Sequence, residues 1–363
     1  MDTIHHHMKS PRKAGLAVCL FLCFAVAAAF SLQAEELQVF SKTQPHMGTE
    51  FTLKTYAPAD DKDAVSVAFK KAFARVEQLN QIASDYLPES EILRFAKTPV
   101  GERFAMSADL FAIFTTAESI ATETDGAFDV TAGPFVRLWR LSRKNRKLPD
   151  KEQISRARSR IGFHLLGMNP TDRTVVKLSE GMLFDLGGIA KGYAADEALR
   201  ILKDSGFPSS LVAASGDIVV GDSPPGNEGW TIKLEAYGDK SEGGREILVR
   251  LSDAAVSTSG DASQYIEIDG KRYSHIVSSR TGLGLSESIA ASVIAPNATL
   301  SDAYATTVVL LGKKEGLQFI ENKREIECRI VALRNGQEVA VSSHGFIQFQ
   351  EEKKPTKNSV TPP

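Results

Sequence analysis

A change of pattern near residue 210 is the feature that most constrains the fold of this chain. Before it, apolar residues recur at helical spacing over long segments. After it, short apolar runs are separated by Gly, Pro, Asp and Ser, which is typical of strands. Because helices and strands occur in runs without strict alternation, the pattern predicts an α+β fold rather than a doubly wound sheet. The predicted strands are 50–57, 210–215, 217–220, 230–236, 246–252, 264–268, 273–277 and 288–295.

Helix signals accompany these strands. Ser107 is a predicted N-cap for the second helix, and Asp125-Gly126 would end it. Gly206 is a stop signal for the third helix. The last predicted element is a hairpin over 326–343 that turns at Asn335-Gly336. The predicted helices are 61–84, 107–124, 190–207 and 301–323.

The first 34 residues are predicted to be a secretory signal peptide. The basic residues Lys9, Arg12 and Lys13 precede an apolar run over 14–30, and small residues that suit cleavage follow it. The alternative is an uncleaved membrane anchor, for which a run of about 17 residues is only marginally long enough. A lipid anchor is a third form of attachment, although neither leader cysteine follows a small residue.

The rest of the chain is predicted to be one domain over 35–350 with a polar, disordered tail over 351–363. Of the 363 residues, 42% are hydrophobic and 24% charged, and the formal charge of −2 gives no indication of nucleic-acid binding. Cys328 is the only cysteine after the leader, so an exported form has no internal disulfide and depends on its core. Cys328 itself is predicted to be a buried strand residue.

Two hydroxyl-rich segments stand out among the polar clusters. In SHIVSSRTG, residues 274–282, a histidine lies among serines and is followed by an arginine. This segment either contributes to a ligand site or forms a polar turn between strands. In 255–263 the residues Ser257, Thr258 and Ser259 are predicted to lie in a turn. Their hydroxyls either cap backbone groups or face a ligand phosphate.

A glycine-rich segment, FDLGGIAKGYAADEAL (184–199), lies where a strand gives way to a helix. Glycines there let a ligand approach the backbone, and unpaired N–H groups at the helix start suit an anion. Its spacing matches neither a Walker A loop nor a dinucleotide fingerprint. In 124–139, Asp129 either satisfies backbone N–H groups of a turn or belongs to a site.

Asp302 and Thr306 are four residues apart in a predicted helix, so their side chains share one face. A carboxylate with a hydroxyl is an oxygen-only pair that suits Mg²⁺ and not zinc. The alternative is a first-turn acid beside a solvent-facing threonine.

Taken together, these motifs resemble a known family. The segments MGTEF, GAFDVTAGPFVRLW, DLGGIAKGYAAD, STSGD, HIVSSRTG and SDAYATTVVLLG occur in the order and spacing of the ApbE-type FAD:protein FMN transferases. The resemblance covers roughly residues 38 to 345, and it rests on the ordered set rather than on any one motif. It implies a single-domain, T-fold-like architecture of mixed and antiparallel strands with packed helices.

The resemblance also implies an activity and a site. Family members move FMN from FAD to a threonine or serine hydroxyl of a partner protein, release AMP and use Mg²⁺. The metal ligands would be Asp302, Thr306 and the backbone carbonyl of Ala190, and His275 occupies the position of a functionally important histidine. Either His275 or Asp302 would accept the proton of the acceptor hydroxyl. The implied FAD contacts are Met47, Tyr86, Ala127, Phe128, Asp129, Gly187 and Ile276.

Four further residues are predicted to face the FAD phosphates. Ser257 and Thr258 would offer hydroxyls, and Lys191 or Arg280 would neutralise charge. Two departures from the family pattern bear on the flavin contacts. Ser278-Ser279 replaces a frequent Asp-Pro, and AASGD stands where Asn-x-Gly-Gly-Asp is usual, with Asp217 retained.

Two other functions remain open at this point: an FAD pyrophosphatase that yields FMN and AMP, and a non-catalytic, exported flavin-binding protein. The resemblance implies that the acceptors are flavin-carrying proteins, such as subunits of membrane redox complexes. It also implies a periplasmic location, free or attached to the inner membrane through the N-terminal segment.

Overall fold

An eight-stranded antiparallel sheet forms the centre of the computed structural model, which describes residues 36–234, 247–260, 264–334 and 337–351. Its strand order is β1-β2-β6-β7-β10-β13-β14-β15, and every neighbouring pair is antiparallel. The sheet strands are β1 (Leu37–His46), β2 (Thr49–Pro58), β6 (Ser210–Ala214), β7 (Asp217–Val220), β10 (Ala254–Gly260), β13 (Ile289–Ala295), β14 (Glu327–Arg334) and β15 (Gln337–Ser342).

Smaller sheets and helices surround this centre. The smaller sheets are formed by β3 (Arg103–Ala105), β4 (Leu166–Asn169) and β5 (Thr174–Lys177), by β8 (Trp230–Leu234) with β9 (Ile247–Leu251), and by β11 (Tyr265–Ile268) with β12 (Lys271–Ser274). The α-helices of the described part are α1 (Lys62–Ala83), α2 (Glu91–Lys97), α3 (Ala108–Glu123), α4 (Gly133–Asn145), α5 (Lys151–Arg158), α6 (Ala190–Asp204) and α7 (Ala298–Glu321). None of these helices is long and apolar enough to span a bilayer.

The two faces of the central sheet are covered differently, and alternate residues of a strand serve opposite faces. On one face α1, α6 and α7 close the main core, to which Val212 and Val293 contribute. On the other face β8, β9 and the 3₁₀ segment His344–Phe349 close a second core, to which Leu211 and Ile294 contribute. The α+β prediction is confirmed, with helices packed on a wholly antiparallel sheet.

Most predicted elements are confirmed. The helix over 107–124 begins as expected, because the Ser107 hydroxyl accepts the Leu110 N–H at 3.2 Å. Asp125 and Gly126 follow with positive φ angles of 50° and 71°. Cys328 is fully buried in β14, where burial raises the pKa of its thiol to about 12. The predicted turn at 335–336, the signal peptide, and the tail beyond residue 351 lie outside the described residues.

One prediction is wrong and several elements were not predicted. Residues 254–260 form the central strand β10, whereas 255–263 was expected to be a turn. The small side chains of Ser257 to Ser259 fit there because β10 lies between two strands and under α7. The strand β1 and the helices α2, α4 and α5 were also missed.

Candidate functional site

Two tight turns meet at one edge of the central sheet. Met47 and Gly48 connect β1 to β2 with positive φ angles of 51° and 76°, and Ser215 (φ 60°) begins the connection from β6 to β7. The antiparallel register of β2, β6, β7 and β10 brings these turns, the start of β7 at Asp217 and the end of β10 to the same edge. A methionine at positive φ is uncommon, and backbone strain of this kind concentrates at functional sites.

A buried ionic cluster lies at this edge. The Lys191 ammonium, one residue into α6, is 3.3 Å from Asp217 Oδ2 and 3.7 Å from Asp302 Oδ2 on α7. It also donates to the Gly187 carbonyl at 3.0 Å. Both carboxylate side chains are only 6% exposed. One ammonium therefore faces two carboxylates, and the cluster would carry an excess negative charge with both of them ionised.

The pKa shifts follow from this imbalance. Burial, reinforced by the charge of Asp217, raises the pKa of Asp302 to about 7. The pKa of Lys191 is also raised, because attraction to Asp302 and Asp217 outweighs the opposing effect of burial. A second cation at the cluster would remove the cost of ionising Asp302.

Glycines allow α6 and α7 to approach closely at the cluster. The Gly192 N–H donates to Asp302 Oδ2 at 3.1 Å, and a Cβ at Gly192 would lie 2.1 Å from the Ala298 carbonyl oxygen. A Cβ at Gly188 would lie 3.0 Å from Thr306 Oγ1. Asp302 and Thr306 therefore both point toward the start of α6, where Ala190 is the first helical residue.

The first turn of α7 is fixed from α6 by Asp196. Its carboxylate accepts the N–H groups of Ala298 and Thr299 at 2.7 and 2.8 Å, and the Asn297 side chain accepts the Leu300 N–H. Unpaired N–H groups at a helix start are thereby satisfied by a partly buried carboxylate. The capping fixes the rotation of α7, and with it the direction of Asp302.

The glycine-rich turn before α6 connects to Tyr86 through Arg140. Asp185 Oδ1 accepts the Gly187 N–H at 2.8 Å, and Asp185 Oδ2 lies 3.8 Å from an Arg140 nitrogen. Arg140 also pairs with Asp85 at 2.6 Å, and its guanidinium carbon lies 4.7 Å from the centre of the Tyr86 ring. Tyr86 is 74% exposed, so one face of its ring is available to a ligand.

The segment that contains His275 is held against residues 126–130. The Ser279 hydroxyl donates to the Gly126 carbonyl at 2.6 Å, and a second carbonyl, of Ala127, lies 3.1 Å away. The Ser278 hydroxyl accepts the Arg280 and Thr281 N–H groups, as the carboxylate of an Asp-Pro turn would. The Ser278-Ser279 departure therefore keeps the turn and adds a contact that proline could not make.

Segment 126–130 also meets the glycine-rich turn, because the Asp185 N–H donates to the Val130 carbonyl at 2.8 Å. Ala127 and Phe128 are buried. Asp129 accepts the Thr131 N–H at 2.8 Å, which is the structural role that the sequence left open, and burial raises the pKa of Asp129.

His275 follows β12 directly. Its Nδ1 lies 3.2 Å from the Gln264 carbonyl oxygen. A carbonyl oxygen only accepts, so Nδ1 donates the proton in this contact. Ile276 packs against the main core, and its carbonyl accepts the Leu285 N–H.

Three predicted phosphate partners are placed elsewhere than expected. Ser257 is fully buried and lies 2.7 Å from the Ser301 hydroxyl, so it supports α7 from the sheet. Thr258 pairs with Ser292 on β13 at 2.8 Å, and it is the neighbouring Ser259 whose hydroxyl lies 3.4 Å from Thr306 Oγ1. Arg280 is exposed and pairs with Glu315 on α7 at 3.4 Å. Of the two predicted cations, Lys191 is the one in the ionic cluster.

Several residues of the site were not singled out from the sequence. Arg140 and Asp196 connect segments that are 45 to 103 residues apart, so no local pattern indicates them. Asp217 was identified only as a retained motif residue, although the short apolar run of β7 already placed it at the strand start.

Comparisons with known proteins identify relatives of this chain. A family model described as the ApbE family matches residues 47–330. The chain is 29% identical over 341 residues to the FAD:protein FMN transferase of Haemophilus influenzae, which covers 91% of this chain and 97% of that protein. It is 31% identical over 252 residues to the protein of the same name from Chlamydia muridarum, covering 68% and 77%. The apo structure of the flavinyl transferase ApbE of Pseudomonas stutzeri superposes with a TM-score of 0.78 at 28% identity, covering 88% of this chain and 98% of that one.

Proposed function

The chain belongs to the ApbE family, and on that premise we propose that it transfers FMN from FAD to a threonine or serine hydroxyl of an acceptor protein. The observation that carries this proposal is the buried Lys191–Asp217–Asp302 cluster beside a glycine-rich helix start. An ammonium and an unbalanced pair of carboxylates in such a place suit a metal-bound diphosphate.

The donors at the cluster fit Mg²⁺. Asp302 and Thr306 offer a carboxylate and a hydroxyl, and the Ala190 carbonyl is the proposed third ligand. The residues that the structure describes contain no group of three His, Cys, Asp or Glu side chains placed to hold a metal, so a zinc-type site has no support among them. When bound, the metal would neutralise charge on the diphosphate oxygens.

The FAD would lie across the edge where the turns meet. Tyr86 offers an exposed ring face to the flavin, and the Gly187 turn admits the diphosphate close to the backbone. Met47, Ile276 and segment 127–129 would line the flavin side. Lys191 would neutralise the phosphates, whereas the placement of Ser257, Thr258 and Arg280 favours supporting roles.

In the proposed step, the acceptor hydroxyl oxygen attacks the phosphorus of the FMN half. A new P–O ester bond forms, the P–O bond to the AMP half breaks, and AMP leaves with the bridging oxygen. The hydroxyl proton passes to the imidazole of His275. Asp302 is the less favoured base, since Oδ2 accepts the Gly192 N–H.

The test is incubation of the protein with FAD, Mg²⁺ and a threonine-containing acceptor peptide of the Asp-Gly-x-x-Thr-Ala-Thr type. We expect in-gel flavin fluorescence of the peptide and a mass increase equal to bound FMN. FMN found only in solution would instead establish the pyrophosphatase function. Bound but unchanged FAD in the presence of Mg²⁺ would establish the flavin-binding function.

We further propose that the first 34 residues direct export and that the protein works in the periplasm, either free after cleavage near residue 35 or attached to the inner membrane through the uncleaved N-terminal segment. The support is the basic cluster and apolar run of the first 34 residues. Its acceptors would then be exported flavoproteins or subunits of membrane redox complexes. Cell fractionation with N-terminal sequencing checks this location, and an intact, cytoplasmic chain would contradict it.

A further inference from the structure

Residues 137–160 differ in charge from the rest of the molecule. These 24 residues hold ten of the 43 basic side chains and only two acidic ones, Asp150 and Glu152. The segment therefore carries a formal charge of +8, whereas the whole chain carries −2. It comprises α4 from Arg137 onward, a short connection, α5 and the two residues after it, and the two helices pack on each other. We call it the basic α4–α5 surface.

Most of this charge has no ion-pair partner among the residues that the structure describes. Arg140, Arg156 and Arg158 have partners. Among the residues that the structure describes, no ion pair is formed by Arg137, Arg143, Lys144, Arg146, Lys147, Lys151 or Arg160. All seven except the half-buried Arg143 are exposed.

Helix dipoles account for only part of the surface. Arg143 and Lys144 lie in the last turn of α4, where cations are favoured. Lys151 lies at the start of α5, where the dipole opposes it, whereas Arg137 is the fifth residue of α4, beyond the turn on which the dipole acts. Arg137 and Lys144 also share one helix face with Arg140. Basic side chains that the helix dipoles do not favour are better explained by the binding of an external anion.

The basic α4–α5 surface borders the proposed active site. Arg140 lies against the Tyr86 ring, and the Arg158 guanidinium donates to the Arg280 carbonyl at 2.6 Å in the His275 segment. Trp139 of α4 donates to the Ser274 carbonyl at 3.0 Å. A polypeptide that brings a hydroxyl to His275 would therefore pass over or beside this surface.

We propose that the basic α4–α5 surface docks an acidic segment of the acceptor protein and so selects acceptors with Asp and Glu near the modified residue. This inference rests on the proposed transfer to a protein. A lipid surface is a weaker match, because the apolar residues Phe135 and Trp139 of α4 are buried and Leu141 is the exposed large apolar side chain within 137–160. Charge complementarity at the rim of a site mainly sets encounter rate and partner choice.

The experiment compares two fluorescent peptides that share one acceptor threonine. One carries several flanking aspartates, and the other has asparagine at the same positions. The test variant is R137E/K144E/K147E, none of which we place in the site. The matched control is K62E/K70E/K71E on the exposed face of α1, which makes the same change of net charge. A milder variant, R137Q/K144Q/K147Q, removes the same charges without reversing them and is used if the charge reversal perturbs folding.

Binding is measured by fluorescence anisotropy, and transfer by the flavin assay above. We expect the parent and the α1 control to bind the aspartate peptide about ten-fold more tightly than the asparagine peptide at low salt. The test variant should lose this preference, and the glutamine variant should lose part of it. In roughly 0.5 M salt the preference should shrink for all proteins. Affinity for FAD should not change.

Equal binding of the two peptides by the parent would overturn the docking proposal. The docking proposal would also fail if the test variant kept its peptide preference but lost affinity for FAD. The surface would then attract FAD rather than the acceptor. Loss of binding to phosphatidylglycerol vesicles with unchanged peptide preference would point to lipid and overturn it too. Preferential peptide binding without FMN transfer would leave the docking intact and refute the proposed function, so the two failures are distinguishable.

Discussion

Helix α6 carries two ionic clusters that differ in their balance of charge. This difference distinguishes a structural cluster from a candidate metal site. Farther along the helix, Glu197 and Tyr193 meet Arg75 of α1 and Asp109 of α3, and Arg200 pairs with Glu197. There two guanidiniums face the half-buried carboxylates of Asp109 and Glu197, and Arg200 also pairs with the exposed Asp204. At the start of the helix, the single ammonium of Lys191 faces Asp217 and Asp302.

The pKa shifts of Glu197 and Asp302 reflect this difference in charge balance. Hydrogen bonds from Arg200 and Arg75 lower the pKa of Glu197 below its usual range. Burial raises the pKa of Asp302 to about 7. The balanced cluster thus stabilises its charges, whereas the other holds a carboxylate that is costly to ionise without a further cation. Charge balance, rather than burial alone, therefore distinguishes a structural ionic cluster from a candidate metal site.

The sharpest test of the comparison is Asp302→Asn. We expect FMN transfer to fall by about 10²–10³-fold, because a charged ligand at the diphosphate is lost. The melting temperature without Mg²⁺ should be unchanged or higher, since the amide oxygen can still accept the Gly192 N–H and an unfavourable buried charge is removed. In-gel flavin fluorescence and thermal melts measure both. A variant that labels the acceptor as well as the parent does would refute the metal assignment.

Magnesium should stabilise the unbalanced cluster selectively. At a Mg²⁺ concentration of about 100 times the dissociation constant, the parent should gain roughly 2.7 kcal/mol of unfolding free energy. Asp302→Asn should gain little of this, and a variant in the balanced cluster should gain all of it. Urea denaturation with and without Mg²⁺ gives the values. Equal gains in all three proteins would mean that the ion binds elsewhere.

Arg75→Met breaks the balanced cluster. Asp109 and Glu197 are each less than one fifth exposed, and they would lose a shared cation. We expect a loss of about 1–3 kcal/mol in unfolding free energy, with Arg200 limiting the damage. The KM for FAD and the turnover of folded protein should not change. If transfer fell strongly while stability did not, this cluster would belong to the site.

Arg200→Ala should have the smallest effect. Its side chain is 54% exposed, and its pairs with Glu197 and Asp204 lie along the helix surface. Such pairs contribute roughly 0.2–1 kcal/mol. A loss well above that range in urea denaturation would show that the balanced cluster depends on its exposed end, contrary to the role assigned to Arg75.

Local patterns predicted what depends on local physics. The period of apolar residues predicted α1, α3, α6 and α7 to within a few residues, and Ser107 was correctly predicted as a cap. β1 was missed because most of its residues are exposed on both faces, so no alternation marks it. β10 was mistaken for a turn because its serines pack against α7 and β13, a contact that only the tertiary structure provides.

Individual residues of the candidate site were predictable from the sequence, whereas the long-range contacts between them were not. Resemblance indicated Lys191, Asp302 and Thr306, and the structure places them around one helix start. The contact from Gly192 to Asp302 spans 110 residues, and that from Ser279 to Gly126 spans 153. Pairings at such separations follow from sheet register and helix packing rather than from any local spacing. The local excess of positive charge over 137–160 was visible in the sequence, but an overall charge near zero concealed it.

The capping of α7 by Asp196 has a consequence for how this chain can vary. The cap holds Ala298 and Thr299, and Asp302 follows three residues later on the same helix. Each helical residue turns the chain by about 100°. Inserting or deleting one amino acid between cap and carboxylate would swing Asp302 out of register with Gly192, so this short interval admits no change of length.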